Sequence, residues 1–256
     1  MKHLPPSHGT VIDGQTFRFS KSGQGSPAIV LLSGAGGPLE SWHKLYPGIE
    51  KLGTVFSYDR PGVGGSGKPR EPQYGEVVVA QLRQLLQAAQ VRPPFVLVGH
   101  SFGGLHANLF AREFADEVSG VLFLEATAPE DVAAMKRYQS GLQRAVVGLL
   151  DRMSPRHPND EIRNEAETVK DILEAPAFPQ VPVTVISGAR RLPRWLMPDA
   201  AVRERERNQL GLAALSPLGE RILAERSTHF PQMSEPELVL EALARLVART
   251  KSVLRG

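Results

Sequence analysis

Three features of the amino-acid sequence predict an α/β protein built on a doubly wound, mostly parallel sheet. Short apolar runs rich in branched side chains, at 28–32, 54–58, 95–98, 118–124 and 181–188, read as strands buried on both faces. Segments with helical spacing of apolar residues lie between them, the alternation from which parallel sheets are made. Glycine-rich turns close the runs that end near 32 and 98.

Each element can be justified in order. Residues 10–19 alternate around Asp13-Gly14, a strong short-range hairpin signal, so an antiparallel hairpin leads into the sheet. The first continuous strand, 28–32, ends in Ser33-Gly34-Ala35-Gly36-Gly37-Pro38, and a helical stretch over roughly 41–52 precedes the strand at 54–58. After the loop 59–73, the spacing predicts a helix over 77–89, with Leu82, Leu85, Leu86 and Ala89 on one face. A weaker strand is expected at 221–224. The last helix is expected to start at Ser234-Glu235-Pro236-Glu237, with serine as cap, proline in the first turn and glutamates at the positive dipole end. It turns Leu238, Ala242 and Leu246 inward.

One interval breaks this rhythm. More than fifty residues separate the strand ending at 125 from the one starting near 182. They carry two amphipathic patterns, one through Met135, Tyr138, Leu142, Val146, Leu149 and Met153, the other through Ile162, Ala166, Val169 and Leu173. The expected organisation is a core domain over 1–127 and 179–256 with a helical cap inserted at 128–178. The cap is expected above the carboxyl edge of the sheet, where open α/β sheets bind ligands. Its apolar stripes predict a preference for apolar substrates.

Composition narrows the function classes. The chain of 256 residues is long enough for one large core plus an insertion. A net charge of +3 is too small to argue for nucleic acid or an anionic membrane surface. No apolar run approaches the ~18 residues of a membrane span. The first fourteen residues are polar and proline-bearing, unlike a signal peptide. There are no cysteines, which removes disulfides and thiolate metal sites and suits a reducing cytoplasm, the expected location. No cofactor or metal is expected, and nothing specifies an oligomer.

The chemistry concentrates at Gly99-His100-Ser101-Phe102-Gly103. An apolar strand precedes it and an apolar segment with helical spacing, 105–114, follows, which is the context of a G-x-S-x-G nucleophile elbow. A serine at so sharp a turn is strained, and the positions at 99 and 103 must be nearly bare for strand and helix to close. The helix N-terminus brings N–H groups and a positive dipole end towards a developing oxyanion. The glycine-rich turn after strand 28–32 can supply a second donor. The N–H groups of Ala35 and Phe102 would form an oxyanion hole, worth roughly 3–4 kcal/mol per donor in the transition state.

A base and an acid are needed beside the serine. Of seven histidines, His3 and His8 lie near the start of the chain, His100 sits inside the turn pointing away, and His106 lies on the helix behind it. His229 alone stands after the last strand and before the last helix, where a base can reach over the sheet edge. For the acid, Glu125 ends the apolar run 118–124, where a carboxylate without a partner would be costly. The alternative is Asp199, eleven residues past Gly188, which a simple helix-capping role would also explain. Gly62-Val63-Gly64-Gly65-Ser66-Gly67-Lys68 mimics a phosphate loop. Pro69 stands where that loop needs a hydroxyl, so nucleotide binding is not expected.

With these residues in place, the sequence resembles the α/β-hydrolase superfamily over nearly its whole length. The likeness rests on the hairpin, the Ser33-Gly34 turn, the Asp59-Arg60-Pro61-Gly62-Val63-Gly64-Gly65-Ser66 loop, the Gly99–Gly104 turn and Thr228-His229-Phe230. The order serine, acid, histidine is also the superfamily's. Two departures stand out: Ser33 replaces the usual histidine before Gly34, and the commonest acid position, after 188, is empty. Haloalkane dehalogenases place their acid where Glu125 stands, but Ser101 argues against them and against epoxide hydrolases, which use an aspartate nucleophile. The resemblance implies this fold and a serine nucleophile rather than a particular substrate, and the first expectation is an esterase acting on a small or medium apolar acyl substrate. Amide, peptide or carbon–carbon bond hydrolysis and a non-catalytic ligand-binding role are the alternatives.

Overall fold

A computed structural model describes residues 4–138, 157–191, 193–194 and 197–253. The chain opens with the hairpin β1 (Ser7–Ile12) and β2 (Gln15–Ser22), which closes at the pair Ile12 and Gln15. Asp13 and Gly14 between them both take positive φ (48° and 78°), as a two-residue hairpin turn requires. Next come β3 (Ala28–Leu32), a 3-10 turn (Leu39–Trp42), the short α1 (Tyr46–Ile49) and β4 (Thr54–Tyr58). They are followed by α2 (Gly75–Ala88), β5 (Phe95–His100), α3 (Gly103–Glu113) and β6 (Val118–Leu124). Helices α4 (Pro129–Tyr138) and α5 (Glu165–Glu174) lie between β6 and β7 (Val183–Gly188). The chain continues through α6 (Asp199–Ala213), β8 (Gly219–Ala224) and α7 (Pro231–Ser234), and the last described helix is α8 (Pro236–Val253).

The eight strands form one sheet in the order β1-β2-β4-β3-β5-β6-β7-β8. Only the pairs β1/β2 and β2/β4 are antiparallel; the remaining five are parallel. Alternate residues on each inner strand serve two cores. Val30, Leu32, Leu97, Phe123 and Val185 pack with Leu82, Leu105 and Phe110 from α2 and α3. Ile29, Leu31, Val96, Val98, Leu122 and Ile186 pack with Trp42, Tyr46 and the α8 residues Val239, Leu243 and Leu246. Burial on both faces explains why the inner strands read as unbroken apolar runs. Sequential strands leave β3 in opposite directions, to β4 on one side and β5 on the other. The carboxyl ends of β3 and β5 therefore flank a topological switch point, where such sheets form their binding crevice.

Several expectations about helices change. The stretch 41–52 is not one helix. It breaks into the 3-10 turn and the four-residue α1, which holds Pro47 and Gly48. A Cβ at Gly48 would stand 2.6 Å from the Leu240 side chain, so the break brings this segment close against α8. The last helix does not start on a serine cap. Ser234 ends α7, and its hydroxyl donates to Phe230 O (3.0 Å). On α5 the inward face is Thr168, Asp171 and Ile172, whereas Ala166 and Leu173 are exposed. Polar atoms share that face with Ile172 and the half-buried Val169, and the Asp171 carboxylate accepts the Glu76 N–H at the start of α2 (3.0 Å). Leu142, Val146, Leu149 and Met153 of the other stripe, and the side chain of Met135, lie outside the described residues.

Candidate active site

β5 and β6 are neighbours in register, His100 beside Leu124, so the residues that follow them, Ser101 and Glu125, emerge side by side at the carboxyl edge. Both have left-handed backbones, at φ 51° and 45°. For residues other than glycine this conformation costs roughly 1–2 kcal/mol and persists only where surroundings impose it. Here they do. Ser101 N–H donates to Leu124 O (3.2 Å), its carbonyl accepts from Gly104 and Thr127 (both 2.9 Å), and Glu125 N–H donates to Ile186 O (2.8 Å). Two glycines permit the close approach. A Cβ at Gly99 would stand 2.8 Å from Gly103 O, and one at Gly103 would run into the carbonyl of Leu32.

The loop after β8 carries His229 back to this edge. Its Nε2 lies 2.9 Å from Ser101 Oγ and its Nδ1 3.3 Å from Glu125 Oε2. A carboxylate only accepts, so in the neutral ring Nδ1 holds the proton and Nε2 is left free to take one from the hydroxyl. Glu125 is 5 % exposed, whereas the His229 side chain is 42 % exposed. Burial alone would raise the Glu125 carboxyl. The His229 contact, the Arg205 charge and the Gly188 N–H (2.7 Å to Oε1) outweigh it and hold the group below the usual carboxylate range. Asp199 is not brought to the site's acid position. It is the first residue of α6, with Pro198 rather than itself as the cap, and its half-exposed carboxylate lies 3.4 Å from Arg194.

The two expected oxyanion donors belong to Ala35, which lines a chamber with Ser101 and His229, and to Phe102, which follows Ser101 in the chain. Among the described residues, neither Ala35 N–H nor Phe102 N–H has an acceptor, although the adjoining Gly36 and Gly37 N–H groups are bonded to Glu161 Oε1 (3.2 Å) and Gly34 O (3.0 Å). Ser33, which stands where a histidine was expected, accepts the Trp42 indole N–H at its hydroxyl (2.8 Å).

A sequence profile described as the alpha/beta hydrolase fold matches residues 27–170, more than half of the chain. The chain belongs to the alpha/beta hydrolase fold family. Among curated relatives, this hydrolase-fold chain is similar to the uncharacterized protein YqjL of Bacillus subtilis (strain 168), at 27 % identity over 229 residues, covering 89 % of this chain and 87 % of that one. Solved structures extend the likeness in fold. One is an AqdC variant studied for recognition and ring-cleavage of the Pseudomonas quinolone signal (TM-score 0.69, 20 % identity, 95 % and 99 % of the two chains). Another is the enol-lactonase from Burkholderia xenovorans LB400 (TM-score 0.67, 19 % identity, 94 % and 100 %).

Four residues around the hydrolase-fold site were not singled out from the sequence for the roles they hold. Arg205, on α6, donates to Glu125 Oε2 (2.7 Å) and lies 3.7 Å from the buried Asp131. Because it shares Oε2 with His229, the imidazole contact is long for a charge-assisted bond. His100, expected only to point away from its neighbour Ser101, has a partner on the histidine loop. Its Nε2–H donates to His229 O (2.9 Å), and burial pushes the ring down to about 4, with that hydrogen bond acting in the opposite sense. Arg60 donates to Ser33 O (2.8 Å) and Gly34 O (2.7 Å), and its buried guanidinium is paired with Glu161. Glu161 thus ties the chain between β6 and β7 to the glycine turn that bears Ala35.

The site opens into two chambers. One, of about 430 Å³, lies towards Gly34, Ala35, His43, Phe230 and Met233. The other, of about 470 Å³, lies towards Gly188, Met197, Val202 and Arg205. Neither is lined by described residues of 128–178. Among the described residues, no group of three or more histidines and carboxylates could hold a metal ion, and no helix is long and apolar enough to cross a membrane.

Proposed function

We propose that the protein is a serine hydrolase that cleaves a carboxylic ester of a small molecule through an acyl-enzyme. The observation that carries this reading is the unbroken chain from Ser101 Oγ through the His229 ring to Glu125, with Ala35 lining the same chamber as Ser101 and its N–H without an acceptor among the described residues. Ser101 attacks the ester carbonyl while His229 Nε2 takes its proton. The N–H groups of Ala35 and Phe102 receive the oxyanion, and Glu125 stabilises the imidazolium. The leaving alcohol takes the proton from Nε2. A water activated by the same nitrogen then releases the acid. The strained turn at Ser101 supports its assignment as the nucleophile of an elbow.

The segment 128–178 is read as an insertion on the core, anchored at its far end by the Glu161–Arg60 pair. Of the stripe expected to select apolar substrates, Leu142, Val146 and Met153 lie outside the described residues and Tyr138 donates to Glu204 (2.8 Å), while the arginine-lined chamber speaks for a polar end group. Cyclic esters belong in the first assays, since the structural neighbours include an enol-lactonase and a ring-cleaving enzyme. The test combines a fluorophosphonate probe with ester and lactone panels. Stoichiometric labelling at Ser101, with turnover lost in Ser101→Ala, is expected. A folded protein that neither labels nor turns over any panel member is a ligand binder instead.

A further inference from the structure

The two chambers flanking Ser101 differ in charge. On the β3 side the carboxylate is Glu40, already paired with Arg18 (2.7 Å). On the β7–α6 side the lining carries four arginines, Arg190, Arg191, Arg205 and Arg221, against two carboxylates, Glu125 and Glu206. These charges are not interchangeable. Arg205 is held between Glu125 and Asp131 and is neutralised there. Arg221, half-buried on β8, donates from Nε to Ser187 Oγ (3.0 Å), and no carboxylate among the described residues lies within ion-pair distance of it. The side chains of Arg190 and Arg191, at the exposed margin, have no carboxylate partner among the described residues either.

A partly buried cation without a counter-ion is costly, and its guanidinium retains unmatched donors in a planar fork suited to a carboxylate. Ala189, Met197 and Val202 give the same chamber an apolar wall beside that charge. We infer that this chamber takes the carboxylate end of the substrate, so that the ester cleaved at Ser101 carries a free carboxylate a few carbons from the scissile bond, bound by Arg221 with Arg190 and Arg191 at the entrance. This assignment rests on the serine-hydrolase reading for its reaction but not for its binding.

The experiment uses the full-length protein and two matched substrate pairs. The first is mono-4-nitrophenyl glutarate beside the 4-nitrophenyl ester of glutaric acid monoamide, with the charge on the acyl arm. The second is 4-acetoxybenzoate beside 4-acetoxybenzamide, with the charge on the leaving group. In one pair, kcat/KM, corrected for alkaline hydrolysis rates, should favour the anion by about tenfold or more, the scale of one charge-assisted hydrogen bond. Its KM should rise between about 0.05 and 0.5 M salt while that of the neutral partner stays level. Arg221→Gln keeps a donor for Ser187 and should lower the anion-to-neutral ratio about fivefold or more. If that variant does not fold, the double change Arg190→Ala/Arg191→Ala gives the same readout. Ratios near unity in both pairs, or a preference that survives these substitutions, overturn the proposal. Calorimetry with glutarate and glutaramide on Ser101→Ala separates the two readings. Salt-sensitive binding of glutarate alone supports the chamber even if no ester is hydrolysed, and equal or absent binding of the two overturns it.

Discussion

Two buried carboxylates at the carboxyl edge of the sheet, Asp59 after β4 and Glu125 after β6, are wired alike and end differently. Each accepts from a backbone N–H and from an arginine: Asp59 from Gly65 and Leu39 (both 2.8 Å) and Arg18 (2.5 Å), Glu125 from Gly188 and Arg205 (both 2.7 Å). Every Asp59 partner belongs to the framework. The loop that mimics a phosphate site folds around it, with the Ser66 hydroxyl returning to Asp59 O (2.6 Å) and the Gly62 and Gly67 N–H groups bonded to Gly67 O and Thr16 O. Glu125 instead offers one oxygen to an imidazole that is open to solvent. The use of a buried carboxylate is therefore set by its last partner: framework donors make it a brace, and an exposed ring would let it orient a base, the role proposed for Glu125.

The largest effect should come from breaking that last contact. Glu125→Gln is expected to lower kcat by about 10⁴, the scale known for the loss of a triad acid, with the fold retained on circular dichroism. Asp199→Asn should change kcat by less than about twofold, as for a surface carboxylate. A crippled Asp199 variant beside a mild Glu125 one would reverse the assignment.

The glycine turn after β3 sharpens the contrast, because its Ala35 N–H has no acceptor among the described residues while the N–H groups of the β4 loop cited above are bonded. Ala35→Pro removes that donor and should cost about 10²–10³ in kcat, with KM moving far less. Undiminished kcat in a folded variant would exclude Ala35 from the oxyanion hole.

Stability against pH tests the histidine that positions the loop. The folded His100 is pushed from 6.5 to about 4, so the unfolded chain binds the extra proton first as pH falls. Its contribution is fully present above about pH 6.5 and is lost progressively down to about pH 4, a change of about 3 kcal/mol. His106, fully buried and also lowered well below its usual value by burial and then by the Arg60 charge, adds to the same slope. Urea midpoints that stay level across this interval would contradict neutral, buried histidines.

Asp59→Asn should show the mildest catalytic change. It leaves Arg18, itself partly exposed, with Glu40 as its remaining carboxylate and is expected to cost about 1 kcal/mol in denaturant unfolding. The kcat of the folded fraction should stay within about threefold, since the partners of Asp59 are Gly65, Leu39 and Arg18 and none of them lines the two chambers. A large fall in kcat would mean that the two carboxylates are coupled.

Much of this molecule is determined locally. The inner strands are legible because burial on both faces demands continuous apolar runs, and the turn at Ser101 because its geometry admits so little at positions 99 and 103. Glu125 was legible as a carboxylate ending an apolar run, and His229 as a histidine after the last strand and before the last helix; the structure brings both side chains to Ser101. The roles of Arg205, Arg60, Glu161 and His100 were not legible. Arg205 lies 80 residues from Glu125, Glu161 lies 101 from Arg60, and the His100 ring acts on a carbonyl 129 residues away. No periodicity links such positions, since periodicity reports only which face of one element is buried. Likewise the inward face of α5 includes the polar Thr168 and Asp171 beside Ile172, and Asp171 has a backbone N–H of α2 to accept from, a fact that apolar spacing cannot encode. Propensity and hydrophobic pattern act over a few residues and are written in the chain. The pairing of buried charges depends on which strands become neighbours, and only the folded sheet decides that.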